Sequence, residues 1–239
     1  MKTRGLFITG TDTGVGKTWV TAMALRDLKA DGVTAGAYKP AVTGSVTDDA
    51  GVERWTDVER LAEALGAEWP LERISPQRFT APLAPPTAAA REGRQVDARL
   101  LRDGAGWWNG RVELLLVEGV GGLLCPLSDS DNVADLAVDL EFPLLIVAGA
   151  GLGTINHTLL TVEAARQRDL VVAGVVLNQY EPLDPGDRSI ETNAVDIEAR
   201  TGIPVLAHVA HGQRDGLLHS TPPHKMDLLA LAGNLPDAS

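Results

Sequence analysis

The chain has 239 residues, of which 44% are hydrophobic and 22% are charged, a balance typical of globular proteins and not of disordered chains. Its 21 Lys and Arg residues against 32 Asp and Glu residues give a net charge of −11, which disfavours binding to nucleic acid or to an anionic membrane surface. A single cysteine excludes an intrachain disulfide, and no apolar run reaches the ~20 residues that a membrane-spanning helix needs, so we expect a cytoplasmic protein.

Short apolar runs alternate with longer amphipathic stretches along the chain. The pattern predicts strands at residues 6–9, 35–39, 113–117, 143–148, 171–177 and 204–209, and helices at residues 18–29, 57–65, 98–108, 136–140, 155–168 and 189–201. Five prolines at residues 66–86 exclude long regular elements there, and residues 82–87 are interpreted as a stiff loop.

The predicted strands are apolar on both faces and are separated by helices. This arrangement indicates an α/β protein with three αβα layers, in which helices cover both faces of a mostly parallel sheet. The chain shows no internal repeat and no long linker, so we predict one domain over residues 1–239. Cys125 and the pair Trp107 and Trp108 are interpreted as packing residues.

Ligands of parallel α/β sheets bind beyond the carboxyl ends of the strands. The polar segments that directly follow the predicted strands are therefore the candidates for a binding site. These segments are residues 10–18, 39–45, 118–122, 149–156, 178–179 and 210–212.

The first of these segments reads Gly-Thr-Asp-Thr-Gly-Val-Gly-Lys-Thr and leads into a predicted helix. Its glycines permit the tight turns that aim backbone amides at phosphate oxygens. The lysine can reach the β- and γ-phosphates, and the threonine hydroxyl can bind Mg²⁺. Five residues, rather than the usual four, separate the first glycine from Gly-Lys-Thr, so this is a lengthened phosphate-binding loop. We expect the triphosphate to be bound by Asp12, Thr13, Gly14, Val15, Gly16, Lys17 and Thr18.

A phosphate-binding loop does not identify the reaction, since motors, kinases, GTPases and ligases all use one. The chain has no Asn-Lys-x-Asp sequence of the kind that recognises guanine. Asn178 ends a predicted strand, and its amide can both donate to and accept from an adenine edge. A turn residue at a strand end is the simpler interpretation of Asn178 taken alone.

Several segments together resemble the ATP-dependent dethiobiotin synthetase family of the P-loop NTPase superfamily. They are residues 10–18 (GTDTGVGKT), 38–45 (YKPAVTGS), 117–123 (VEGVGGL) and 152–157 (LGTINH), together with Asn178. The resemblance implies a ligase of biotin biosynthesis that closes a ureido ring from CO₂ and the two amines of 7,8-diaminopelargonate. It also implies that ATP is cleaved to ADP and phosphate, that Mg²⁺ is the cofactor, and that the enzyme is a homodimer with shared active sites.

The resemblance further implies roles for individual residues. Lys17 and Lys39 are the expected catalytic cations, with Lys39 beside the carbamate and the transferring phosphoryl group. Thr18, Asp57 and Glu118 are the expected ligands of Mg²⁺, although Asp57 could instead cap the helix that follows it. Further ATP contacts are expected at Asn178, Gln179, Ala210, His211 and Gly212. Substrate contacts are expected at Thr11, Thr43, Gly121, Gly153, Thr154 and Asn156, the last three from the partner subunit.

Three alternatives remain in view. A regulatory ATPase of the partitioning or iron-protein type usually carries a second lysine early in the phosphate loop, and here residues 11–13 contain none. An amidotransferase synthetase needs a glutaminase domain, for which the chain has no room. A non-catalytic nucleotide-binding module gives no reason for Lys39 and Glu118 to stand at strand ends.

Overall fold

A computed structural model describes residues 3–182, 186–218 and 226–234 of the chain. The strands are β1 (Arg4–Gly10), β2 (Ala35–Tyr38), β3 (Ala41–Thr43), β4 (Val46–Thr47), β5 (Glu53–Arg54), β6 (Gln77–Phe79), β7 (Leu114–Glu118), β8 (Leu144–Gly149), β9 (Val172–Asn178), β10 (Val205–Val209) and β11 (Gly233–Asn234). The helices are α1 (Lys17–Ala30), α2 (Thr56–Ala64), α3 (Leu71–Ile74), α4 (Pro85–Arg91), α5 (Ala98–Gly106), α6 (Val133–Leu140), α7 (Thr154–Arg166), α8 (Asn193–Thr201) and α9 (Leu228–Leu231).

The central sheet has the strand order β10-β9-β8-β1-β7-β2, and all of these neighbours run parallel. The short strand β11 pairs antiparallel with Arg4 and Gly5, at the start of β1. The predicted mostly parallel sheet is therefore confirmed. Two further strand pairs, β3 with β6 and β4 with β5, lie outside this sheet.

Alternate residues of the central strands pack on opposite sides of the sheet. In β8, Leu145 and Val147 belong to the large hydrophobic cluster that also contains residues of α1, α2 and α6. Ile146 and Ala148, from the same strand, pack with Val162 and Ile197 of α7 and α8. Because side chains alternate along a strand, both faces of the sheet are buried under helices, as the sequence predicted.

Two sequence predictions need correction. The predicted helix at residues 189–201 is divided, because a 3₁₀ turn at Ser189–Glu191 precedes α8. Residues 82–87, predicted as a loop, include the start of α4 at Pro85. Proline is compatible with the first positions of a helix, since their N–H groups have no partner within the helix.

Trp108 and Cys125, both predicted to have packing roles, differ in how deeply they are buried. Trp108 is fully buried in the core, whereas Cys125 is only half-buried. In the part of the chain that the structure describes, no helix is both long and apolar enough to cross a membrane.

Candidate active site

The phosphate-binding loop connects β1 to α1 at the carboxyl edge of the sheet. Gly14 and Gly16 have φ values of 79° and 89°, in the left-handed region that favours glycine. A Cβ atom on Gly16 would also overlap the side-chain amide of Asn178. The backbone amides of residues 14–18 donate no hydrogen bond to any other described residue. These open donors at the start of α1 form a binding surface for phosphate.

Lys17 is buried, and its ammonium donates to the backbone carbonyl of Asp12 at 2.9 Å. Burial lowers the pKa of Lys17 to about 8; the nearby ammonium of Lys39 adds to this, while Glu118 and Asp57 oppose it. Among the described residues, the contact that the Lys17 ammonium makes is thus with a neutral carbonyl and not with a carboxylate. A phosphate would supply the missing negative charge.

A second buried lysine lies between two carboxylates in the same region. The Lys39 ammonium is 2.7 Å from Asp57 Oδ2 and 2.6 Å from Glu118 Oε1. It also lies 3.2 Å from Thr18 Oγ1, and this hydroxyl donates to Glu118 Oε1 at 2.5 Å. The structure therefore brings together four of the predicted site residues.

The register of the sheet explains why Lys39 meets Glu118. Tyr38, the last residue of β2, pairs with Val117 of β7. The residues that follow in these two parallel strands are Lys39 and Glu118, so both side chains start at the same edge. Asp57 comes from the first turn of α2, where Trp55 is the N-cap and no side chain caps the helix. The carboxylate of Asp57 binds Lys39, so the capping interpretation of Asp57 is not supported.

The carboxylates control the charge of Lys39. Burial alone would lower the pKa of Lys39, but Glu118 and Asp57 raise it, and the net shift is upward. Burial alone would raise the pKa of Asp57, but Lys39 and, more weakly, Arg60 lower it, and the net shift is downward. The cluster is thus a charged ammonium beside an ionised aspartate at neutral pH.

The same cluster has the chemistry of a magnesium site. Glu118 Oε2 is buried and has no hydrogen-bond partner in the described chain. Together with Asp57 and the Thr18 hydroxyl, it offers hard oxygen ligands beside the phosphate-binding loop. Mg²⁺ typically takes one or two protein carboxylates and completes its shell with phosphates and water, so these residues fit that ion.

The lysine cluster faces a cavity of about 280 Å³, the first cavity. Thr43, at the end of β3, and Gly121 both line it, as do Thr13, Gly14 and Gly16. Gly121 has a φ of 64°, and a Cβ atom there would lie 2.8 Å from the sulfur of Cys125. Burial raises the pKa of the Cys125 thiol, in keeping with a packing role.

A second cavity, also of about 280 Å³, adjoins the first and shares Gly16, Trp19 and Arg60 with it. It brings together the five predicted ATP contacts that lie at the ends of β9 and β10. Those residues are Asn178, Gln179, Ala210, His211 and Gly212. Asn178 is buried, and its side-chain amide donates to the carbonyl of Val15 at 2.9 Å, which fixes it against the phosphate-binding loop.

A third cavity, of about 390 Å³, lies on another side of the loop and includes Thr11, Asp12 and Cys125. Its wall continues along α7 through Leu160. Thr11 and Asp12 therefore line a different cavity from Lys39.

The start of α7 lies outside all three cavities, so a single chain does not bring Gly153, Thr154 and Asn156 to Lys39. Gly153 is the N-cap of this helix with a φ of 93°, and Asn156 is exposed. The amides of Ile155 and Asn156 donate no hydrogen bond within the described chain. This helix start is open to an anion from outside the subunit.

Sequence reasoning missed three residues that line the second cavity, namely Trp19, Arg60 and Tyr180. Trp19 directly follows the phosphate-binding loop and Tyr180 follows Gln179, so closeness to a motif could have pointed to both. Arg60 lies in α2, one helical turn after Asp57. Its spacing of three residues from Asp57 was the available signal, because such residues share a helix face.

Comparison with known proteins gives consistent results. A family model described as an AAA domain matches residues 4–213. A protein of Anaeromyxobacter sp. (strain Fw109-5) named ATP-dependent dethiobiotin synthetase BioD is 49% identical over 208 residues, which cover 87% of this chain and 90% of the relative. A protein of the same name from Rhodopirellula baltica is 39% identical over 85% of this chain and 82% of its own.

Among solved structures, a ParA family ATPase from Chlorobium tepidum TLS matches with a TM-score of 0.51 at 12% identity. The match covers 88% of this chain and 84% of that protein. At this low identity, the likeness concerns the fold alone, and it agrees with a P-loop NTPase architecture.

Proposed function

Since the chain belongs to the family of ATP-dependent dethiobiotin synthetases, we propose that the first cavity is where it joins CO₂ to 7,8-diaminopelargonate and cleaves ATP. The observation that carries this assignment is the Lys39 ammonium, held between Asp57 and Glu118 beside the phosphate-binding loop. A reaction between anions needs such a buried cation, which water cannot screen.

The chemistry has three bond-forming steps. One amine of the substrate attacks CO₂ and loses a proton, which gives a carbamate. A carbamate oxygen then attacks the γ-phosphorus of ATP, and the bond to ADP breaks, which gives a carbamic–phosphoric anhydride. The second amine attacks the carbonyl carbon of this anhydride and loses a proton, inorganic phosphate leaves with the electron pair of the broken C–O bond, and the ureido ring closes.

The described residues suit these steps mainly by holding and neutralising the reactants. Lys17 and the open amides of residues 14–18 would bind the β- and γ-phosphates. Lys39 would stabilise the carbamate and the transferring phosphoryl group, and Thr43 and Gly121 would contact the substrate. Thr18, Asp57 and Glu118 would hold Mg²⁺, which when bound neutralises phosphate charge.

The second cavity is the proposed position of the ATP base. Asn178 ends β9 and Gln179 follows it on one side of this cavity, and Ala210, His211 and Gly212 follow β10 on the other. The pairing of β9 with β10 explains why two segments distant in sequence lie together, and the amide of Gln179 donates to Val209 at 2.9 Å.

We further propose that two copies of the chain share their active sites. The start of α7, where the amides of Ile155 and Asn156 donate to no other described residue, suits the distal carboxylate of a substrate held by the partner, with Gly153, Thr154 and Asn156 as the proposed contacts. Two large apolar side chains are exposed nearby, since Leu152 and Leu160 are 88% and 62% exposed.

The regulatory ATPase of the partitioning type is the weaker candidate. Its support is the ParA likeness, which concerns the fold alone, whereas relatives at 39–49% identity carry the synthetase name. The cytoplasmic location and the absence of nucleic-acid and membrane partners stay predictions from the composition.

The substitution Lys39→Met tests the assignment. We expect it to lower dethiobiotin formation at least ~100-fold, because a preorganised cation at the transferring group is lost. Binding of MgADP, measured by calorimetry, should stay within a few-fold of the wild type. Lys29→Met is the matched control, since Lys29 is a surface lysine that is 55% exposed. Loss of MgADP binding together with catalysis would instead make Lys39 a nucleotide anchor and contradict the assignment.

A further inference from the structure

The first and second cavities meet at a wall formed by Gly16, Trp19 and Arg60. Gly16 and Trp19 belong to the phosphate-binding loop and the start of α1. Arg60 reaches the same place from α2, which also carries Asp57. A guanidinium group therefore lies at the junction between the cavity proposed for the triphosphate and the cavity proposed for the base.

Arg60 is held in place by an aromatic ring. Its guanidinium carbon is 5.2 Å from the centre of the Trp19 ring, within the range of a cation–π contact. The Trp19 indole in turn donates to the carbonyl of Gln213 at 2.6 Å. Stacking occupies the face of the guanidinium and leaves the N–H donors along its edge available.

Those donors are not used elsewhere in the described chain. Arg60 forms no ion pair and donates no hydrogen bond to another described residue, and the nearby Asp57 carboxylate binds Lys39. The preceding arginine shows the contrast, because Arg54 contacts Asp48 at 3.2 Å and Glu59 at 2.8 Å. A half-buried guanidinium with open donors in a cavity wall is a site for an anion.

The position of Arg60 selects one anion. Lys17 and Lys39 mark the end of the first cavity where the γ-phosphate would react, whereas the base would lie beyond Gly16 and Trp19. Between the γ-phosphate and the base, a nucleotide has the β-phosphate, the α-phosphate and the ribose, and the α-phosphate is the charged group nearest the base. We infer that Arg60 is a further nucleotide-binding residue, whose guanidinium hydrogen-bonds the α-phosphate of ATP and ADP. This inference rests on the proposed function, which places ATP across the two cavities.

The substitution Arg60→Met tests the inference, because methionine can still pack on Trp19 but cannot bind phosphate. We expect the Kd of MgADP and the KM of ATP each to rise about tenfold, as for the loss of one charge-assisted hydrogen bond, while kcat stays within about twofold. Binding of adenosine, followed by ligand-detected NMR, should not change. Arg60→Lys should recover part of the lost affinity. Arg54→Met is the matched control and should leave all of these values unchanged.

Each other outcome decides against the inference. An unchanged Kd for MgADP in Arg60→Met would show that the guanidinium does not contact the nucleotide. A fall in kcat at constant MgADP affinity would place the guanidinium on the transferring phosphoryl group. An equal loss for adenosine and MgADP would place it on the base or ribose. A wild-type enzyme that forms no dethiobiotin would overturn the proposed function itself, which the wild-type assay reveals independently of Arg60.

Discussion

Lys17 and Lys39 are buried lysines of the same cavity, yet their pKa values shift in opposite directions. Two carboxylates lie within 2.7 Å of Lys39 and keep it charged. Lys17 contacts a backbone carbonyl at 2.9 Å, so burial lowers its pKa to about 8. The two residues are thus suited to different tasks: Lys39 carries its own counter-charge, and Lys17 needs the charge of a ligand.

This difference predicts a pH dependence of nucleotide binding. Above about pH 8, the empty enzyme increasingly carries a neutral Lys17, whereas bound phosphate favours the ammonium. We therefore expect MgADP affinity to fall by up to about tenfold per pH unit above that pH, with proton uptake on binding. Calorimetry in buffers of different ionisation enthalpy measures both quantities.

The variant Lys17→Met is the control and should bind MgADP more weakly, with no such pH dependence. The stability of the fold should depend on pH in the opposite sense to the affinity for MgADP. Between the folded pKa of about 8 and the ordinary lysine pKa of 10.5, the unfolded chain binds more protons at Lys17, so this residue makes the free energy of unfolding rise with pH. MgADP binding to the wild type without proton uptake near pH 8.5 would contradict the assignment of Lys17 as a ligand of the phosphates.

At the scale of elements, helix α1 connects the phosphate-binding loop to residues 213–218, the segment beside the second cavity. Trp19 and Arg26 are seven residues apart and lie on one helix face. They donate to the carbonyls of Gln213 and Arg214, respectively. The next residue, Asp27, is buried and accepts from the backbone amides of Gly216 and Leu218 at 3.0 and 2.9 Å. One helix thus begins at the phosphate-binding loop and contacts the segment beside the second cavity, which is the proposed position of the base.

The substitution Asp27→Ala should release this segment. We expect a loss of about 2 kcal/mol in the free energy of unfolding, because the backbone amides of Gly216 and Leu218 lose a charged acceptor. The KM of ATP should rise several-fold with little change in kcat, since the chemistry at Lys39 is untouched. Urea denaturation and steady-state kinetics measure these effects. Asp103→Ala, at an exposed ion pair with Arg99, is the control and should change stability by less than about 1 kcal/mol. Equal effects of the two substitutions would show that the Asp27 contacts do not hold the segment.

The sequence predicted the central strands and the residues that follow them, because fully apolar runs end abruptly at polar residues such as Lys39 and Glu118. It did not predict the short strands β3 to β6, which are too brief for a periodic signal. Arg60 was missed for another reason: its spacing from Asp57 places both residues on one face of α2, but its position in the cavity wall depends on how α2 packs beside α1, which the spacing alone does not give. For Asp57 the sequence leaves capping and metal binding open, because it does not give the contact of this carboxylate with Lys39, and metal binding by Asp57 stays a prediction.

At the scale of the whole molecule, the chain has a net charge of −11, yet the lining of its first cavity includes the basic side chains of Lys17, Lys39 and Arg60. The charge disfavours nucleic-acid partners but does not prevent binding of a small anion, because the local cavity and not the net charge sets the potential there. The single domain over residues 1–239 stays a prediction.

The proposed homodimer predicts a solution mass of twice the 25.2 kDa of one chain, measured by light scattering. Leu160→Asp should yield monomers with little activity, because a charge would be buried in the contact and the partner's α7 would leave the site. Val195→Asp is the control, since Val195 is similarly exposed on α8 and lines none of the three cavities. A monomeric Leu160→Asp enzyme with full activity would contradict shared active sites.

The central claim is that this site couples ATP cleavage to ring closure, and the coupling ratio tests it most directly. Phosphate release and dethiobiotin formation are measured together from MgATP and bicarbonate, with and without 7,8-diaminopelargonate. We predict one phosphate for each dethiobiotin, and almost no phosphate without the diamine. Equal ATP hydrolysis in both reactions would contradict the claim.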